Sequence, residues 1–221
     1  MLATFTDRSG GVSQGAFDSF NLGDHVNDLS DHVQANREIL QSKYGAVQFM
    51  NQVHGSRIAI IETITEEVPT ADALVTGIGG ITLAVMVADC IPLLLTSQEA
   101  VAAVHVGRRG LVNGVAIKTI DLMREMGASH IRAHIGPAIC GQCYEVSPEI
   151  QAEVLELHPI AVAQTSTGTP ALDLPKALKT ALNSAGISEI IESGICTVES
   201  SAHFSYRRDG VTGRQVGLVS L

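Results

Sequence analysis

The chain has no tryptophan, and only three tyrosines and five phenylalanines among its 221 residues. Its core must therefore be packed by Val, Ile, Leu and Ala, which supply most of the 45% apolar content. No window approaches the ~18 consecutive apolar residues of a membrane-spanning helix. The first residues, Met-Leu-Ala-Thr-Phe-Thr-Asp-Arg, form neither a basic n-region nor an apolar h-region, so no signal peptide is expected. Four cysteines are too few for a disulfide scaffold in a chain this long. A net charge of −9 argues against nucleic acid or an anionic membrane as partner. Repeats, low-complexity tracts and linkers are also missing. These absences point to one soluble globular domain over residues 1–221, expected in the cytoplasm.

What is present is arginine in loops. Ten of the 14 basic residues are Arg. Arg8, Arg108, Arg109, Arg207, Arg208 and Arg214 all lie in Gly-containing or loop-like stretches. Any single Arg is most simply a surface ion-pair partner. Three Arg-bearing loops in an acidic, Lys-poor chain instead point to a local anion site, since guanidinium binds carboxylate and phosphate bidentately.

Residues 7–29 read as loop. Ser30 is the expected cap of a helix over 30–44, stopped by Gly45. Short β-type runs follow at 47–50, 57–62, 72–76, 82–89, 91–96 and 101–106. The spacing then predicts a helix over 111–126, a buried strand at 131–135, and helices over 148–157 and 173–183, the last capped by Asp173 with Pro175 in its first turn. Strands near 190–198 and 214–219 close the chain. Many strands with four helices give an α+β domain rather than regular βαβ repetition.

Two apolar runs, 85–95 and 100–106, flank a short polar stretch and read as an antiparallel hairpin. With 97–100 as its loop, Thr96 faces Val101, Pro92 faces His105, and Cys90 faces Gly107. Alternation then puts Cys90 and His105 on one face as diagonal neighbours, about 7–8 Å apart at Cα. A thiol beside an imidazole is a nucleophile pair or two ligands of a borderline metal. A free Cys in an apolar strand is otherwise a small hydrophobe. Asp89 before Cys90, and Gly107-Arg-Arg-Gly110 after the His strand, weigh against that plainer reading. His54, in Gln52-Val-His54-Gly55, is the candidate third ligand. Two His and one Cys with one open position match a catalytic zinc, which lowers the pKa of a bound water to about 7. Cys140-Gly-Gln-Cys143 has no second CxxC to complete a four-Cys zinc site and reads as a reduced structural pair, with Cys196 as core.

Several blocks together resemble a known family. They are Thr6-Asp-Arg8-Ser-Gly-Gly-Val-Ser, Phe20-Asn21-Leu-Gly, Asn36-Arg37, Gln52-Val-His54-Gly, Ala71-Asp72-Ala-Leu-Val-Thr, and Ala88-Asp89-Cys90-Ile-Pro-Leu-Leu-Leu. Ala103-Val-His105-Val-Gly-Arg-Arg-Gly, Gly136-Pro-Ala-Ile, Cys143-Tyr-Glu-Val and Ser205-Tyr-Arg-Arg208-Asp-Gly-Val-Thr-Gly-Arg214 complete the set. In this order they resemble the laccase-domain or polyphenol-oxidase proteins later assigned purine nucleoside phosphorylase activity. The resemblance implies a single α+β domain of mixed sheets flanked by helices (CNF/YfiH-like). It also implies a metal site, zinc or copper, on His54, Cys90 and His105. The implied substrates are adenosine, inosine or methylthioadenosine with phosphate, giving free base and ribose 1-phosphate, with adenosine deamination alongside. On that reading Arg8, Asn21, Arg108 and Arg208 are candidates for substrate or phosphate. Cys90 and His105 are the catalytic pair, and Asp89 or Asp72 is the proton shuttle. Arg108 stands where the family has Trp, Val106 where it has Ala, and Cys140-Gly-Gln-Cys143 where it has Gly-Pro-Cys-Cys. The first change bears on substrate preference, because it removes an aromatic surface and adds a cation.

Rival readings are a metal-independent Cys–His amidase editing a cell-wall precursor, a copper polyphenol oxidase, and a non-enzymatic metal-binding module. The eight histidines show no HxH spacing, which disfavours the multicopper oxidase.

Overall fold

The computed structural model describes residues 1–221. In chain order the elements are β1 (Leu2–Phe5), α1 (Ser30–Tyr44), β2 (Val47–Gln48), β3 (Ile58–Ile60), β4 (Ala73–Thr76), β5 (Thr82–Val87), β6 (Ile91–Thr96) and β7 (Val101–Val106). Then come α2 (Arg108–Val112), α3 (Val115–Glu125), β8 (Arg132–Ile135), α4 (Pro148–Leu157), β9 (Val162–Gln164), β10 (Pro170–Leu172), α5 (Leu174–Ser184), β11 (Ile190–Glu192), α6 (Tyr206–Asp209) and β12 (Gln215–Ser220).

Every residue of β5, β6 and β7 is buried, which is why these strands read as continuous apolar runs. Alternation assigns their two faces. Leu83, Val85 and Val87 of β5 meet Leu94, Val101 and Ala103 in a core between two sheets. Leu93 and Leu95 of β6, with Ala102, Val104 and Val106 of β7, turn away into the largest core, where they pack on α2, α3 and α5. Ala84 and Met86 point the other way, onto Leu40 of α1. The result is a face-to-face pair of sheets covered on both sides by helices. One sheet has the order β1-β12-β5-β2 and the other β11-β8-β6-β7-β4-β3, each mixing parallel and antiparallel pairs; β9 and β10 form a separate hairpin.

The hairpin register matches the sequence expectation, with Thr96 opposite Val101 and Pro92 opposite His105. Ser97 locks the turn: its hydroxyl donates to the Ala100 carbonyl and accepts the Ala100 N–H. Several expectations are corrected. Ser30 is the first residue of α1 rather than its cap, because the Leu29 carbonyl accepts the His32 and Val33 N–H groups. The helix expected over 111–126 is two helices, α2 and α3, broken at Gly114, whose φ of 69° is a left-handed turn that glycine adopts at little cost. There are six α-helices instead of four. The expected strand near 190–198 ends at Glu192, so Cys196 sits in a turn-rich segment and not in a β-run. No helix is long and apolar enough to cross a membrane.

Candidate active site

His54, Cys90 and His105 converge from three separate segments at the mouth of the space between the sheets. His105 shares its strand face with Val101 and Ala103, so it emerges toward the four-stranded sheet. Cys90 lies between the end of β5 and the start of β6, and His54 lies in the loop before β3. Cys90 Sγ is 3.8 Å from His54 Nε2. The two imidazoles meet edge-on, with centroids 4.7 Å apart. One donor atom from each of the three residues lies within 4.8 Å of the others.

Asp72 organises this set from behind. It is fully buried. His105 Nδ1 donates to its Oδ1 at 2.9 Å, and the N–H groups of Val53, His54 and Gly55 donate to the same carboxylate. With Nδ1 committed, His105 presents Nε2 to the site, the carboxylate–histidine arrangement common behind metal ligands. Asp72 therefore faces the His105 ring and the His54 loop and does not line the cleft, which removes it as a proton shuttle.

The charges reinforce one another. Burial pushes the Cys90 thiol up, but the His105 and His54 rings outweigh it and hold the thiol at about 6. Burial pulls His105 down, but the Cys90 thiolate and Asp72 carboxylate outweigh it and raise His105 to about 9. Burial pushes Asp72 up, yet His105 and the backbone N–H groups keep it below the usual carboxylate value. Metal-free protein thus holds a thiolate–imidazolium pair between these limits. The iodoacetamide alkylation rate of Cys90 in metal-free protein is expected to rise through pH 6 and then level off. A rate that keeps climbing toward the ordinary thiol value of 9.0 would contradict the pair.

The donor set suits a borderline ion such as zinc, which takes His nitrogen and Cys sulfur at about 2.0–2.3 Å. The backbone leaves room for it. A Cβ on Gly107 would stand 3.0 Å from Cys90 Sγ and 3.1 Å from His54 Cδ2. Gly107→Ala is expected to push these ligands apart and to weaken zinc binding by about 10- to 100-fold, the usual cost of disturbing a ligand's support. Unchanged affinity in a zinc titration would show that the ligands do not need this clearance.

A cleft of about 840 Å³ opens over the three residues, a size typical of small-molecule sites. Asp89 lines it. Its carboxylate accepts hydrogen bonds from Thr197 Oγ1 (2.6 Å), Ser205 Oγ (2.7 Å) and the Arg207 N–H (2.7 Å). Asp89 has φ 101° and His54 has φ 59°, conformations that cost on the order of 1–3 kcal/mol and gather at functional sites.

Of the four residues expected at substrate or phosphate, only Arg108 lines the cleft. Arg8 donates to the Asp18 carbonyl and lies over the Phe204 ring. Asn21 is buried, tying Gly23, Asp28 and Arg214 together. Arg208 is consumed by Asp209 and the carbonyls of Thr197, Val198, Ser200 and His203. Arg37, Arg207 and Arg214 line the cleft in their place. Burial holds the Arg214 guanidinium below its ordinary value, against the pull of Cys90 and Asp89, so this cation faces the centre. Phe49, Tyr144 and Tyr206 supply the aromatic surface, whereas Phe204 is fully buried. The sequence signal for Arg207 and Arg214 was the 205–214 block. For Phe49, the residue just after a two-residue strand, no signal existed.

The family model described as multi-copper polyphenol oxidoreductase laccase matches residues 2–221. A purine nucleoside phosphorylase of Streptomyces coelicolor is 45% identical over 98% of this chain and 94% of its own. A crystal structure of a Neisseria meningitidis protein superposes with TM-score 0.89 at 37% identity, covering 98% of this chain and 92% of that one. The hypothetical protein YfiH of Bacillus licheniformis superposes with TM-score 0.90 at 31% identity, covering 99% and 92%.

Proposed function

The chain belongs to the family described as multi-copper polyphenol oxidoreductase laccase, and on that premise we propose that it is a metal-dependent purine nucleoside phosphorylase. The observation that carries this reading is a single cleft holding a His₂Cys donor set, an ordered carboxylate and half-buried arginines, in a chain 45% identical to a protein so named. Its substrates are purine nucleosides, adenosine and inosine first and methylthioadenosine next, together with phosphate. Four free thiols suit a reducing compartment, which supports the cytoplasm as its location on this reading.

His54, Cys90 and His105 hold the ion, and zinc is the metal that fits them best, with copper second. A divalent ion there would supply Lewis-acid polarisation. The chain's own residues do the rest. Phosphorolysis joins a phosphate oxygen to the ribose C1′ as the bond from C1′ to the base breaks, and the departing base takes the electron pair. Arg214, Arg207 and Arg108 bind the phosphate dianion through preorganised donors. Asp89, fixed in place by its three hydrogen bonds, faces the sugar and stabilises the positive charge that develops there. Tyr144, Tyr206 and Phe49 stack the base, doing so without the tryptophan that Arg108 replaces. Adenosine deamination in the same cleft would use Asp89 as the proton carrier.

Arg214→Gln is expected to raise the KM for phosphate by about 10- to 100-fold, the loss of one charge-assisted contact of about 1.5–3 kcal/mol. Initial rates at varied phosphate check it, and an unchanged phosphate KM would remove Arg214 from the anion site.

One observation favours a second reading. Cys90, His105 and Asp72 also line up as nucleophile, base and orienter, the arrangement of a Cys–His hydrolase or amidase. Chelation separates the two. Phosphorolysis is expected to stop when metal is removed from protein that stays folded by circular dichroism; full phosphorolysis in that state would contradict metal dependence, and amide hydrolysis by the metal-free protein would favour the hydrolase. A copper polyphenol oxidase ranks last, because no second histidine cluster accompanies the first.

A further inference from the structure

We propose that Cys140, Cys143, Cys196 and Glu199 form a second metal site, for a zinc-class divalent ion, that clips the 140–144 turn to the 196–200 turn. The three sulfurs and a Glu199 oxygen all lie within 4.8 Å of one another. A tetrahedral Cys₃Glu set around zinc, with bonds of about 2.0–2.3 Å, has edges of roughly 3.3–3.8 Å, so closure asks for movements of roughly 1 Å. The carboxylate is already turned inward, and Cys143 Sγ donates to Glu199 Oε1 at 3.7 Å. None of the four residues lines the substrate cleft, so this set is separate from His54, Cys90 and His105.

Chain geometry explains why the set was hidden in the sequence. Cys140-Gly-Gln-Cys143 is half of a zinc-knuckle pattern. The other half is not a second CxxC but Cys196 and Glu199, delivered from far along the chain. Backbone pairing fixes the two halves: Ala138 bridges Cys196, and the Thr197 N–H donates to the Ala138 carbonyl. In the first turn the Cys143 and Tyr144 N–H groups both donate to the Cys140 carbonyl, which folds the two thiols toward one side. The Cys140 N–H donates to Cys196 Sγ at 3.4 Å, the kind of support that thiolate ligands receive from backbone. Arg208 grips the carbonyls of Thr197, Val198 and Ser200, bringing a cation to the turn that carries Cys196 and Glu199. Binding would release the three thiol protons to solvent and leave a net-negative centre beside that guanidinium.

The place of the clip matters for the cleft. Ile139 and Tyr144, on either side of the CxxC, line the cleft, and Thr197, next to Cys196, holds Asp89. A metal here would fix the base-stacking tyrosine relative to the carboxylate.

Zinc content after loading the full chain with Zn(II) and removing the excess tests the proposal. Two zinc ions per chain are expected for the unaltered protein, one for Cys90→Ala, and one for the Cys140→Ser/Cys143→Ser double variant. A single zinc in the unaltered protein, or an undiminished count in the double variant, would overturn it. Should the double variant fail to fold, Co(II) loaded into Cys90→Ala decides. Its sulfur-to-metal charge-transfer band must carry three thiolates, and no such band at all would exclude the site. A Cys140–Cys143 disulfide whose reduction restores no zinc uptake would equally overturn it. Because the zinc at His54, Cys90 and His105 is counted separately, failure here leaves the phosphorylase reading standing.

Discussion

Asp72→Asn is expected to lower zinc affinity about 10- to 100-fold and to cost about 3–5 kcal/mol of stability, a fall in melting temperature of about 10 °C. Two separate consequences of one burial produce this. Asp72 is fully buried and accepts four hydrogen bonds, three from backbone N–H groups and one from His105. An amide there turns one acceptor oxygen into an NH₂ that faces donors, so the His54–Gly55 backbone or the His105 ring loses its partner. It also removes one of the two anions that raise His105, the other being Cys90, and frees the ring to rotate. Calorimetric zinc titration beside thermal melting separates the effects. A large loss of stability with unchanged zinc affinity would make Asp72 a purely architectural residue.

The second large effect has the opposite shape. Cys90→Ala is expected to abolish zinc binding at the centre and to lower turnover by about 10³-fold or more, since several kcal/mol of Lewis-acid stabilisation is lost at about 1.36 kcal/mol per decade. Stability should change by only about 1 kcal/mol, because the lost side chain is small and partly open to the cleft. Folded, inactive and metal-poor is the expected combination. A folded Cys90→Ala protein that keeps its zinc and its turnover would place the ion elsewhere.

The hairpin was legible because its two strands are buried on both faces and joined by a turn of defined length, so register followed from counting. Once Pro92 is set opposite His105, the approach of Cys90 to His105 follows. His54 was legible through its Gly55 turn. The sequence offers Asp72 only as a candidate shuttle, because burial and hydrogen-bond direction are tertiary facts. The arginines show the same limit. Arg8 and Arg208 sit in motif-rich loops, yet their guanidinium groups are spent on backbone carbonyls of neighbouring turns. Arg214 follows Asn21 in space and not in sequence: its N–H is held by the Asn21 side chain, which aims the segment at the cleft. Gly114 split a helix because the left-handed turn needed there lies within a stretch whose apolar spacing is otherwise helical. Cys196 is buried, as expected of a core residue, but the strand expected around it ends at Glu192, and only the fold brings it to the CxxC.

Product analysis of purified, zinc-loaded protein given adenosine and phosphate tests the phosphorylase assignment most directly. Adenine and ribose 1-phosphate in equal amounts, absent when phosphate is omitted and absent in Cys90→Ala, are the expected products. Inosine without ribose 1-phosphate, or no nucleoside turnover by folded, metal-loaded protein, would contradict it.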